Sequence, residues 1–187
     1  MTPTGQPDGA WMALDIVIED ERWRCLDIDG LAHGAVSRAL DHLGLDAEDC
    51  EIVVMACDDD RIAALNTEFR GKPTPTNVLS WPAEDLGPEE DGGTPAAPQA
   101  DFTGEIALGD IAISYDTCLR EAQEAGKDTR HHVTHLVVHG LLHLLGYDHI
   151  RDRDATLMEQ LETTILGTMG IDDPYVEHEG PIGLILE

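Results

Sequence analysis

His139-Gly140-Leu141-Leu142-His143-Leu144-Leu145-Gly146-Tyr147-Asp148-His149 is the stretch on which the reading of this chain turns. Two histidines four residues apart on a helix project from the same face, with about 6 Å of axial rise between them. Their imidazoles can therefore converge on one point. Gly146 provides a helix stop in the left-handed conformation, after which the chain turns back and presents His149. Three imidazole nitrogens around a tetrahedral ion leave one corner open, the pattern of a catalytic rather than a structural zinc site. Nitrogen-rich tetrahedral sites suit zinc, so one Zn2+ held by His139, His143 and His149 is expected. The zinc-peptidase pattern H-E-x-x-H places a general-base glutamate directly after the first histidine, and here that position is Gly140.

The same helical stripe runs backwards through His135 and His131 at intervals of four. Four ligands on one straight helix cannot reach a single ion. His135 is thus expected to support a ligand from behind or to contact substrate, and His131 and His132 to have no metal role. Asp148 adjoins His149, where it can orient a ligand imidazole or simply serve the turn.

Outward from this segment, the pattern predicts a mixture of strands and helices without strict alternation. Leu14 to Glu19 alternates as a half-exposed strand, Ile28 to Leu43 has helical spacing, and Glu51 to Cys57 is a nearly continuous apolar run suited to an interior strand. Asp58 to Asp60 can cap a helix whose face is Ile62, Leu65 and Phe69, ended by Gly71. Asn77 to Trp81 and Glu105 to Ser114 read as strands, Tyr115 to Ala125 as a helix, Thr129 to Leu145 as the histidine helix, and Asp152 to Gly167 as the last helix. The predicted class is α+β: a small mixed β-sheet packed with helices, with a zincin-like metal-binding helix carrying HxxxHxxxxxH. Residues 13–170 are expected to form a single catalytic domain between tails at 1–12 and 171–187, the second without a fixed fold. Within it, 83–101 is an acidic, Pro/Gly-rich loop with almost no large apolar residues, expected to be disordered. An Ile182-Gly-Leu-Ile-Leu patch in the last tail is a candidate docking segment.

At 187 residues and 42% hydrophobic content the chain can bury one core, built mainly from aliphatic side chains because aromatics supply only 4%. No apolar run approaches the roughly 20 residues that span a bilayer, and no export signal is visible, so a cytoplasmic protein with no membrane partner is expected. The four cysteines have no C-x-x-C spacing and are expected to be reduced and buried. Eleven basic residues against 38 acidic ones give a net charge of −27, which excludes broad adhesion to nucleic acid but leaves room for a local cation. Arg70 is such a candidate: it stands at a helix end with Gly71 behind it, and arginine suits a phosphate. RNA is the phosphodiester that asks least of the protein, because its own 2′-hydroxyl can attack.

The histidine run resembles the signature of the YbeY family of bacterial endoribonucleases, and three further blocks resemble it in the expected order. Leu65-Asn66-Thr67-Glu68-Phe69-Arg70-Gly71-Lys72 with Pro75-Thr76-Asn77-Val78-Leu79-Ser80-Trp81-Pro82 is similar to a second block, although Asn77 and Trp81 stand where many members carry Asp and Phe. Leu108-Gly109-Asp110-Ile111-Ala112-Ile113-Ser114 resembles a third, and Met158-Glu159 with Glu162 the helix after the histidines. The similarity runs from about residue 14 to 170, and relative to compact members the 83–101 loop looks like an insertion.

The resemblance implies a zinc-dependent endoribonuclease that prefers single strands and acts in rRNA processing, at the 3′ end of 16S rRNA, and in ribosome quality control. It implies His139, His143 and His149 as zinc ligands and Arg70 as the cation that engages the RNA phosphate near the metal. With the reading of the helix itself, the expected site is Arg70 and His139 for catalysis, Arg70 and His135 for substrate contact, and the three histidines for the metal. Ribosomal RNA, the small subunit and ribosomal proteins would be its partners, with no organic cofactor. Two alternatives stay open: a zincin-type peptidase whose base comes from elsewhere, and a ribosome-associated factor in which metal only stabilises the fold.

Overall fold

The centre of the fold is the apolar run that the sequence marks as an interior strand. The computed structural model describes residues 13–176, and in it β2 (Cys50–Cys57) lies between β1 (Ala13–Ile18) and β4 (Ile106–Ser114), parallel to both. The edge strand β3 (Val78–Pro82) runs antiparallel to β4, giving the order β1-β2-β4-β3. A parallel neighbour needs a crossover, and α1 (Ile28–His42) supplies it between β1 and β2. The sheet is mixed and the class α+β, as the element order predicts.

Strand alternation sends side chains to two unequal cores. On one face Ile52, Val54, Ala56, Ile111 and Ile113 meet α1 and α4 (Thr129–Leu144), with α5 (Asp152–Thr168) packed behind them. On the other, Leu79 and Ala112 meet Ile62 and Leu65 of α2 (Asp59–Arg70). Asp58 caps α2 by accepting from the Arg61 N–H at 2.9 Å, and α3 (Tyr115–Glu124) follows β4 directly.

Three sequence expectations change here. Phe69 leaves the apolar face of α2: it is 57% exposed and packs edge-on to Trp81, because Asn66 takes the inward position and bonds the Thr74 carbonyl. Of the cysteines, three are buried but Cys25 is exposed. The acidic loop is irregular but not disordered. Leu86 is buried, Arg151 donates to the carbonyls of Pro88, Glu89 and Glu90, and Asp91 accepts from the backbone of Arg153 and Asp154 at the start of α5. The loop lacks an apolar pattern because backbone carbonyls and one arginine fork hold it, which no hydropathy signal records.

The segment after Gly170 is likewise folded back through Val176, and the 1–12 tail and the Ile182 patch lie outside the described residues. Among the described residues no helix is long and apolar enough to cross a membrane.

Candidate metal centre and its cleft

Helix α4 starts at an Asp128 cap and ends at the predicted glycine. Gly146 has φ +95°, its N–H bonds the His143 carbonyl, and the Tyr147 N–H bonds that of Leu142, a paired closure that turns the chain sharply. A Cβ on Gly146 would lie 2.7 Å from the Leu86 backbone, so only glycine allows both this turn and the seat of the acidic loop on it. The turn carries His149 back over the helix.

The result is one cluster. Ligand-capable atoms of His139, His143 and His149 all lie within 4.8 Å of one another. His139 and His143 present their Nε2 atoms to each other at 3.0 Å. Each ring has an acceptor on its far side: Glu162 Oε1 is 2.7 Å from His139 Nδ1, and the Tyr147 carbonyl is 3.0 Å from His143 Nδ1. An acceptor at Nδ1 keeps the proton there and leaves Nε2 as a bare lone pair. Two bare lone pairs at that distance repel unless a cation lies between them, so the donor set fits a metal ion. Burial first, then the neighbouring His139 and His149, pushes the His143 pKa down to about 4, which keeps it in the neutral, ligating form. Asp148 serves the turn: its carboxylate accepts from the His149 N–H and stands 4.0 Å from His143 Nδ1.

The histidines form one wall of a cleft of about 840 Å³, shared with Arg70, Asn77, Ser80 and the loop residues Glu84 to Pro88. Arg70 stands exposed at the C-terminus of α2 and pairs with no carboxylate among the described residues. The other cations are mostly engaged: Arg61 with Glu19, Arg130 with the Leu26 carbonyl, Lys127 with that of Pro174, and Arg151 with Asp154. In a chain this acidic, a cation left unpaired beside the histidines stands ready for an anion.

Gly140 has a positive reason to be glycine. It is buried where α4 crosses the sheet, and a Cβ there would meet Ser80 Oγ at 3.1 Å and Ile111 at 3.3 Å. Any larger residue at this position requires the Ser80 and Ile111 side chains to give way by a few tenths of an ångström. Close packing against β3 and β4 thus favours glycine where the peptidase pattern has its glutamate.

His135 does not line this cleft. It lies behind His139, with its Nε2 at 2.7 Å from Glu162, and borders a smaller pocket with His131, His132 and Asp172. The sequence reading gave Glu162 no role, although it sits on the inward stripe of α5 with Met158 and Ile165. An acid in the middle of an inward stripe, between Met158 and Ile165, is the signal that points to it. Burial alone would raise its pKa, but hydrogen bonds from His135, His139 and Tyr175 outweigh that and hold the carboxyl at about 2.

Fold and site together define a small α+β protein with a three-histidine candidate metal centre at a helix end and an arginine across its cleft. Residues 17–170 match the family model described as Endoribonuclease YbeY, and the chain belongs to that family. Curated relatives named Endoribonuclease YbeY include one from Ruegeria pomeroyi, 66% identical over 88% of this chain and 98% of that protein. Another, from Paracoccus denitrificans, is 57% identical over 89% of this chain and 91% of its own length. The solution structure of a Thermotoga maritima protein shares the fold, with a TM-score of 0.54 at 23% identity over 82% of this chain and 86% of that one.

Proposed function

We propose that this chain is a zinc-dependent endoribonuclease of single-stranded RNA, acting in the cytoplasm on ribosomal RNA precursors, including the 3′ end of 16S rRNA, and in ribosome quality control. Residues 13–170 form its catalytic domain, and the small subunit with its ribosomal proteins is the setting in which it meets substrate. The observation that carries the reading is the shared cleft: His139, His143 and His149 on one wall and the unpaired Arg70 on another. The name that the relatives carry, Endoribonuclease YbeY, supports the endoribonuclease part of this reading.

In this reading His139, His143 and His149 hold one zinc ion, which supplies Lewis acidity towards a phosphoryl oxygen and acidifies nearby water. Arg70 grips a non-bridging phosphate oxygen pair through its planar fork and offsets the charge that develops as the phosphodiester breaks. Glu162 and the Tyr147 carbonyl keep the two helix histidines in the ligating tautomer. The acidic side chains Glu84 and Asp85 face the same cleft and repel a second phosphate strand, which favours a single strand over a duplex.

Purified protein incubated with single-stranded and duplex RNA, with and without a zinc chelator, should cut the single strand and stop on chelation. Cleavage of a peptide library with RNA untouched would reverse the assignment. Binding to small subunits with RNA left intact would make the protein a non-catalytic factor.

A further inference from the structure

Behind the metal centre, on the side away from the cleft, lies a row of polar groups that the cleft chemistry does not use. Glu162 is fully buried, and it accepts from three donors: His139 Nδ1 at 2.7 Å on one oxygen, and His135 Nε2 at 2.7 Å and the Tyr175 hydroxyl on the other. Tyr175 is carried there by the folded segment after α5. Gly170 and Ile171 close the helix onto Gly167 and Leu166, and Asp173 accepts from both Thr163 Oγ and the Tyr175 N–H. The Lys127 ammonium holds the Pro174 carbonyl at 3.0 Å.

Resting on the metal-site reading above, we propose that Glu162 is a positioning residue that sets the orientation and tautomer of His139, and that His135 and Tyr175 hold its carboxylate in place. A carboxylate offers only acceptors, so it can face three donors at once. With no solvent at Glu162, no water can substitute for any of them. An imidazole that donates its far N–H to a carboxylate is fixed in direction and is a stronger ligand at its other nitrogen. The segment after α5 thus reaches the metal centre through two hydrogen bonds into one carboxylate, donated by the Tyr175 hydroxyl and by His139 Nδ1.

The rival use of the same atoms is a second ion held by His135, His139 and Glu162, whose ligand atoms are also close together. The contacts argue for hydrogen bonds instead. Each pairs an N–H with a carboxylate oxygen, so no uncompensated lone pairs call for a cation, in contrast to the His139–His143 pair.

The test compares the full chain with its Glu162→Gln and Tyr175→Phe variants. Zinc affinity is read by competition with a chromophoric chelator, and melting of the metal-free proteins is followed alongside. Glutamine keeps the volume but brings an NH2 that must meet at least one donor head-on. Zinc affinity should fall about 10–100-fold in Glu162→Gln. It should fall less, up to about tenfold, in Tyr175→Phe, whose metal-free melting should stay near wild type because only a hydroxyl is removed. Cobalt-substituted Glu162→Gln should also show shifted visible bands, which a purely structural role would not produce.

Wild-type affinity in a folded Glu162→Gln protein would overturn the proposal. If that variant fails to fold, wild-type affinity in Tyr175→Phe overturns it equally. Two zinc ions per wild-type chain would make Glu162 a ligand and also contradict it. A wild-type chain that binds no zinc would instead remove the metal-site reading itself.

Discussion

Replacing Arg70 by alanine lowers RNA cleavage by at least about a hundredfold, the usual cost of losing one preorganised charge partner of the reacting group. Glutamate at the same position abolishes cleavage, because it adds repulsion of the phosphate to the loss of the cation. Neither change disturbs the fold much. Arg70 is exposed and its side chain has no hydrogen-bond or ion-pair partner among the described residues, so the alanine variant shifts stability by no more than about 0.5 kcal/mol. Glutamate at a helix C-terminus costs a further 0.3–1 kcal/mol or so against the helix dipole. Zinc content stays at the wild-type level, since Arg70 lies on a different element from the histidines. Lysine keeps the charge but loses the planar fork, and restores only part of the rate. Single-turnover cleavage with zinc analysis on the same samples reads all of this. Full activity in Arg70→Ala would take the arginine out of the mechanism.

Replacing His143 by alanine removes zinc and cleavage together. His143 is the middle ligand of the cluster, 3.0 Å from His139 at Nε2 and with its ring 5.0 Å from that of His149. Its loss leaves only two ligands, His139 and His149, whose rings lie 5.3 Å apart. The clearest readout is thermal. A ligand that binds only the folded state at a thousand times its dissociation constant stabilises by about 4 kcal/mol, so zinc raises the wild-type melting temperature by several degrees or more. Zinc should leave the melting temperature of His143→Ala unchanged. The metal-free variant itself should be close to metal-free wild type, because the lost imidazole is half-buried and held neutral at some cost by burial and by its histidine neighbours. An undiminished zinc-induced shift in the variant would move the site elsewhere.

What was readable in the sequence follows from what each feature needs. The histidine helix, its glycine stop and the return of His149 are local events set by spacing and by one φ angle, and all appear as expected. The interior strand is a hydropathy signal of the same local kind. The exposed position of Arg70 is legible because a helix end followed by glycine exposes its last side chain. Features that depend on chain segments far apart were not legible. Glu162 reaches His139 across 23 positions, and the acidic loop is held by Arg151 from about 60 residues away, through carbonyls that every residue has. Phe69 departs from its helical stripe because Asn66, bonded to the Thr74 carbonyl, takes the inward place, and spacing alone does not show that bond. Gly140 is the instructive case. In the sequence it is a missing glutamate, and in the structure it is the contact that lets α4 lie against Ser80 and Ile111.

In the proposed reading a single ion, gathered by His139, His143 and His149, switches on cleavage in the cleft that Arg70 shares. The decisive experiment titrates zinc into metal-stripped wild-type protein and measures single-stranded RNA cleavage at each step. Cleavage should start from background, rise in proportion to bound zinc and level off at one ion per chain. Full-rate cleavage by the metal-stripped protein, or a plateau reached only at two ions, would contradict it.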